Sequence, residues 1–157
     1  MMMKVVENNM DVSAFIKLRE EFGFKPYPRQ EIEAALRNSL YCVHIELNGK
    51  TIAAARVVGD GRVAFFIKDV VVSEASQNQG YGNILMEHIF QYLHQHACEG
   101  AYIGLMSTVG KEAFYHRYGF IIRPNEEFGS GMVLFLNKDP SYRAMDSNNV
   151  SGIRKED

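Results

Sequence analysis

Apolar residues recur about every three to four positions near the start of the chain and every second position in its middle, and this change of period divides it. Val5-Val6 reads as a short first strand. Asp11 then caps a helical pattern in which Val12, Phe15, Ile16 and Phe22 recur near a 3.6-residue period, and Gly23 closes it. Two prolines in Phe24-Lys25-Pro26-Tyr27-Pro28 forbid regular helix there. A second helix is predicted from about Arg29 to Asn38, burying Ile32, Ala35 and Leu36.

From Leu40 the period becomes two. Tyr41, Val43, Ile45 and Leu47 alternate with Cys42, His44 and Glu46, the pattern of a half-buried strand. Asn48-Gly49 is a strong hairpin signal. Thr51 to Val58 follows as a strand weakened by three alanines, Asp60-Gly61 gives a second turn, and Val63 to Val72 is a long strand that is apolar apart from Lys68-Asp69. Three strands joined by tight turns form an antiparallel meander.

Beyond the meander the order is glycine loop, helix (Tyr81 to Ala97), strand (Ala101 to Met106). A crossover helix of that length sets the new strand parallel to the last meander strand. A short helix from about Lys111 to Tyr118 ends at Gly119, and Phe120 to Ile122 and Met132 to Leu136 read as closing strands. Residues 1–137 are thus expected to form one domain of mixed α/β class, and 138–157 a polar tail without period.

Composition narrows the functional classes. The chain has 157 residues, 17 Lys+Arg against 19 Asp+Glu, and a formal net charge of −2. That balance, with no basic tract, argues against nucleic-acid binding by phosphate neutralisation. No apolar run is long enough to span a bilayer, and the first residues lack the apolar stretch of a secretion signal, so a cytoplasmic protein without membrane partner is expected. Cys42 and Cys98 show no Cys-x-x-Cys spacing, and His94 and His96 are two apart on a helix, so no metal site is expected.

The loop from Ser73 to Asn83 carries the chemistry. Glycines between a strand and a helix free backbone N–H groups to converge, and the helix start adds partial positive charge, which suits a pyrophosphate. A Walker A loop is excluded because Gly82 is followed by Asn83 and Ile84, not Lys-Ser/Thr. A Rossmann loop needs a small residue where Leu85 stands and should follow the first strand of a parallel sheet.

Gln77-Asn78-Gln79-Gly80-Tyr81-Gly82 after a hydrophobic strand, followed downstream by Phe114-Tyr115-His116-Arg117-Tyr118-Gly119-Phe120, resembles the GNAT acetyltransferases from about Met3 to Leu136. The resemblance implies the GNAT fold, a mostly antiparallel sheet with a splayed parallel strand pair and flanking helices, and acetyl-CoA as cosubstrate. On this chain the backbone of Val70, Val71 and Val72 would hold the pantetheine arm. The N–H groups of Gln77, Asn78, Gln79, Gly80, Tyr81, Gly82 and Asn83 would hold the pyrophosphate, with Phe114 among the cofactor contacts. Tyr115 matches the family tyrosine that protonates the leaving thiolate.

Asp69 matches the second member of a Glu-Asp pair in some family members, where it would bind the incoming ammonium or relay its proton; Lys68 replaces the first. A salt bridge to an arginine of a neighbouring strand is the alternative. Thr108 stands where many members have Asn, and Lys111 is either a phosphate contact or a solvated residue. On the acceptor side, Phe24 and Tyr27 would cover the pocket, with Phe65, Phe66 and Met106 lining it. The expected function is transfer of acetyl from acetyl-CoA to a primary amine of a small molecule by direct attack in a ternary complex. The family also allows a homodimer. Two alternatives stay open: an acyl-CoA-binding sensor without chemistry, and an acetyltransferase acting on a protein lysine or N-terminus.

Overall fold

The computed structural model describes residues 2–141. Most of the expected polar tail, residues 142–157, lies outside the described residues. The chain forms two compact units, one up to Leu105 and one from Met106.

The first unit runs β1 (Met3–Glu7), α1 (Val12–Glu21), α2 (Arg29–Arg37), β2 (Tyr41–Leu47), β3 (Lys50–Gly59), β4 (Ala64–Val72), a 3-10 turn (Glu74–Ser76), α3 (Tyr81–His96) and β5 (Tyr102–Gly104). The strands form one sheet in the order β1-β2-β3-β4-β5. The first three pairings are antiparallel and β4–β5 is parallel, as the crossover helix predicts.

Local chemistry sets the turns. Asp11 accepts from the Ala14 N–H at 2.9 Å and starts α1, while Gly23, at φ +68°, ends it. Asn48 and Gly49 both have positive φ, as a type I′ turn requires. At the second hairpin the Asp60 carboxylate accepts the N–H groups of Arg62, Val63 and Ala64. Those bonds, the one from Arg62 foremost, hold its pKa below the ordinary carboxylate value.

α3 packs on β2, β3 and β4, with Tyr41 stacked on Tyr92 at 4.8 Å. On the opposite face Phe15, Leu18, Phe24 and Ile32 cluster with Ala54 and Val71. Both sheet faces are therefore covered, which corrects the half-buried reading of β2: Cys42 and His44 are buried along with Val43 and Ile45. The three alanines of β3 sit at the centre of this sandwich with no exposed surface, where small side chains let helices approach from both sides.

β4 carries a bulge. Its pairing with β3 passes from Arg56↔Lys68 to Ala54↔Val71, so two residues of β4, Asp69 and Val70, face one of β3. Asp69 sits there at φ +57°. The extra residue reverses the strand's phase: Phe65 meets Tyr92 on the α3 side, whereas Val71 joins the α1–α2 cluster.

In the second unit α4 spans Glu112–His116 and Gly119 follows at φ +96°. The two closing strands are not formed among the described residues. Ile121, Met132, Val133, Leu134 and Leu136 are all more than half exposed. An apolar run becomes a strand only where a neighbour completes its ladder, and the intervening Asn125 instead builds a local turn by accepting from the N–H groups of Glu127 and Phe128.

Candidate functional site

β4 and β5 part early. Their pairing covers only Ala64↔Tyr102, Phe65↔Ile103 and Phe66↔Gly104, whereas β4 stays paired with β3 as far as Val72. From Ile67 onward the outer edge of β4 has no strand beside it among the described residues. A free strand edge offers backbone donors and acceptors to an extended ligand bearing amides. Gly104 lies at the parting point, and a Cβ there would crowd the Phe66 ring at 3.3 Å.

The free edge leads into the glycine loop. Gln77 folds back so that its amide donates to the Val72 carbonyl at 3.1 Å. Asn78 and Gly80 have φ of +62° and +89°, which turns successive peptide units into a concave run before α3. Gly80 occupies the N-cap without a capping side chain, and the first turn of α3 carries no acidic residue. The first helical bond is Ile84 N–H to Gly80 O at 3.3 Å. Tyr81 itself is buried, so it can serve a ligand only through its backbone, while Asn78, Gln79, Gly80 and Asn83 are at least partly exposed and Gly82 is half-buried. The place a Gly80 Cβ would take is open, with no atom within 4 Å.

Asp69 sits behind this edge and is 2% exposed. One carboxylate oxygen accepts from Arg19 Nη1, the other from Arg56 Nε at 2.7 Å. Arg56 comes from β3, the neighbouring strand, so the salt bridge anticipated there exists; Arg19, from α1, is a second partner that the sequence pattern did not announce. Arg56 also donates to the Ser39 hydroxyl at 3.3 Å. Arg19 Nη2 donates to the Lys25 carbonyl at 2.9 Å, and its guanidinium carbon lies 5.4 Å from the Phe24 ring centre and 5.8 Å from that of Tyr27. A further unanticipated contact is Glu21, whose carboxylate accepts from the Ser73 hydroxyl at 3.2 Å and the Glu74 N–H at 2.8 Å.

The acceptor-side candidates of this unit differ in exposure. Phe24 is in the core at 7% exposure and Tyr27 is 46% exposed, so of the two Tyr27 has a face for a ligand. Phe65 is buried against α3, and Phe66 is half-buried. A separate cleft of about 550 Å³ opens at the other end of α1, lined by residues including Asn8, Glu33, Leu36, Arg37, Ser39 and Cys42. Burial raises the pKa of the Cys42 thiol, so the group is not a ready nucleophile.

In the second unit Tyr115 lies on α4, edge-on to Phe114 at 5.0 Å and to Phe120 at 6.2 Å, and is half-buried. Phe114 packs on Tyr118 at 5.5 Å, as expected from their four-residue spacing. The Thr108 carbonyl accepts the Lys111 N–H at 3.1 Å, and Lys111 is exposed. Met106 lies against Gly131, where a Cβ would fall 2.9 Å from its methyl group.

Among the described residues no cluster of three or more His, Cys, Asp or Glu could hold a metal, and no helix is long and apolar enough to cross a membrane. The fit to an acyl-CoA is good: an edge for amides runs directly into a concave, uncapped helix start free of acidic side chains.

The sheet opens beside a glycine loop and carries helices on both faces. Residues 9–120 match the model of the acetyltransferase (GNAT) family, and the chain belongs to that family. It is 26% identical over 121 residues to an uncharacterized N-acetyltransferase, ycf52, of Pyropia yezoensis, a match that covers 74% of this chain and 68% of that one. Among solved structures it is similar to SA2161 of methicillin-resistant Staphylococcus aureus, described as a probable acetyltransferase of unknown function, with 31% identity, a TM-score of 0.78, and coverage of 86% of this chain and 100% of that one. Glucosamine-6-phosphate N-acetyltransferase from Arabidopsis thaliana shares the fold at 18% identity and TM-score 0.66, covering 87% of this chain and 100% of that one.

Proposed function

We propose that this protein is an N-acetyltransferase that moves an acetyl group from acetyl-CoA to a primary amine of a small molecule, by direct attack with both substrates bound. The observation that carries the reading is the continuity of the free β4 edge with the concave loop from Gln77 to Gly80 and the uncapped start of α3. Bound there, acetyl-CoA supplies the acetyl group as an activated thioester. The chain's own part is to align the pantetheine amides along Val70–Val72, to hydrogen-bond the pyrophosphate with backbone N–H groups, and to present an N–H of the same edge to the carbonyl oxygen as it gains charge. Tyr115 is the candidate general acid for the leaving thiolate on its match to the family motif alone.

Asp69 takes a different part from a base. Both its oxygens accept from guanidiniums, so it anchors the bulge that turns β4, and the amine loses its proton to water or to another group. Tyr27, the exposed ring of the α1–α2 loop, offers a π-face to an alkylammonium.

A sensor that binds acyl-CoA without chemistry is favoured by one observation, the engagement of Asp69 by two arginines beside Lys68, which leaves no carboxylate of β4 facing the opening. Thiol release from acetyl-CoA across a panel of primary amines separates the two. Turnover with one or more small amines supports the enzyme; tight acetyl-CoA binding with no release on any amine, or release only with peptides, overturns it.

A further inference from the structure

The C-terminal turn of α1 touches three parts of the first unit at once. Arg19, 6% exposed, holds the bulge residue of β4 through Nη1 and the carbonyl of Lys25 through Nη2, and its guanidinium carbon lies near the Phe24 and Tyr27 rings. Two residues on, Glu21 holds Ser73 and Glu74, where β4 passes into the glycine loop. The segment 24–28 contains two prolines and no regular structure. Its backbone is secured to the body by Phe24 N–H on Arg19 O at 3.0 Å and by the guanidinium on Lys25 O.

A buried guanidinium needs acceptors for the donors that Asp69 does not take, and here the Lys25 carbonyl supplies one while Arg56 gives the same carboxylate a second cation. The second donor and the ring contacts commit the rest of the guanidinium to the loop. Its planar fork makes this possible, since its donors point in fixed and different directions.

We infer that Arg19 is a positioning residue that couples the acyl-CoA edge of β4 to the 24–28 loop, so that filling the edge firms the loop. The inference rests on the acyl-CoA reading of that edge. A ligand hydrogen-bonded along Val70–Val72 restrains the bulge one residue earlier; the bulge fixes the Asp69 carboxylate, the carboxylate fixes the guanidinium, and the guanidinium fixes the Lys25 carbonyl and the ring of Tyr27. The loop bearing the aromatic candidates for acceptor contact is then set by the donor substrate through a single side chain.

Hydrogen exchange with acetyl-CoA as the probe tests this, read at the Lys25 and Tyr27 amides, since Pro26 and Pro28 have none. In the wild-type protein, saturating acetyl-CoA is expected to slow these amides about 10-fold, a local opening made rarer. Arg19→Lys keeps a cation for Asp69 but loses the fork and the flat face. It is expected to bind acetyl-CoA within about 3-fold of wild type while the slowing in the loop falls below about 2-fold. Tyr27→Leu, at an exposed position that does not threaten folding, is expected to retain part of the slowing. Unaltered slowing in Arg19→Lys, or wild-type protein that binds acetyl-CoA without any slowing at the loop, overturns the coupling. If Arg19→Lys does not fold, full slowing in Tyr27→Leu counts against the ring contact and hence against the coupling. Failure of wild-type protein to bind acetyl-CoA at all is a different result, and it overturns the acyl-CoA reading itself.

Discussion

Replacing Asp69 with Asn tests the ion cluster with little other disturbance. Asparagine accepts positive φ as readily as aspartate, so the bulge geometry is not itself penalised. What changes is charge and one acceptor: the new NH₂ must face a guanidinium, and two arginine side chains, 7% and 15% exposed, lose their counter-ion. Removing one partner of a buried ion pair costs about 3–5 kcal/mol. For the roughly 140 described residues the unfolding entropy is about 0.3 kcal/mol per degree, so the melting temperature should fall by roughly 10–17 °C. Thermal melts followed by far-UV circular dichroism read this directly. Because the burial cost of the charges is itself large, an Arg19→Met, Asp69→Asn, Arg56→Met triple variant, which keeps a residue suited to φ +57°, is expected to regain part of the loss. A fall of less than about 3 °C in Asp69→Asn refutes the reasoning, since it means that the cluster is hydrated and not the anchor of the bulge.

Four further outcomes follow from the same geometry. Tyr115→Phe should lower turnover about 10²–10⁴-fold in a thiol-release assay while calorimetry finds acetyl-CoA affinity unchanged; an unaltered rate removes Tyr115 from the chemistry. Gly80→Val, forced to φ +89°, should weaken acetyl-CoA binding by about 10-fold or more, measured by calorimetry. Gly59→Ala drives a methyl into the Ala64 carbonyl oxygen and to 2.9 Å from the Phe65 Cα, so the β3–β4 hairpin must open, at a cost of at least about 2 kcal/mol in urea unfolding. Burial first, and then its hydrogen bond to Glu7 at 2.6 Å, raise the pKa of Tyr41 far above the ordinary phenol value. Its proton is therefore held more tightly in the folded state. That stabilisation is complete below about pH 10 and is lost as pH rises beyond it, so Tyr41→Phe should flatten the alkaline limb of the stability profile.

Features made by neighbouring residues are legible in the order of amino acids alone: the Asp11 cap, the Gly23 stop, the Asn48-Gly49 turn and the α3 crossover each depend on a few adjacent positions. The family follows from two motifs because both are local. Features that join distant segments are not legible in this way. β2 alternates like a strand with one wet face, yet helices on both sides cover it, and nothing in the alternation records the second helix layer. The bulge hides inside an unbroken alternation of buried Phe65, Ile67, Asp69 and Val71, although the extra residue moves Val71 to the other face. A signal for Arg19 is present: it lies four residues after Phe15, on the apolar face of α1, and two misplaced charges of opposite sign, there and at Asp69, invite pairing. The runs at 120–122 and 132–136 carry strand composition, but a ladder requires a partner that composition does not specify.

Everything in the functional reading depends on the β4 edge and the loop after it holding an acyl-CoA through the main chain. Titrating isotopically labelled protein with acetyl-CoA and following backbone amide shifts tests this most directly. The largest changes are expected at Val70–Val72 and from Gln77 to Asn83. Changes centred on the cleft around Asn8, Leu36 and Cys42, or no saturable change anywhere, would contradict it.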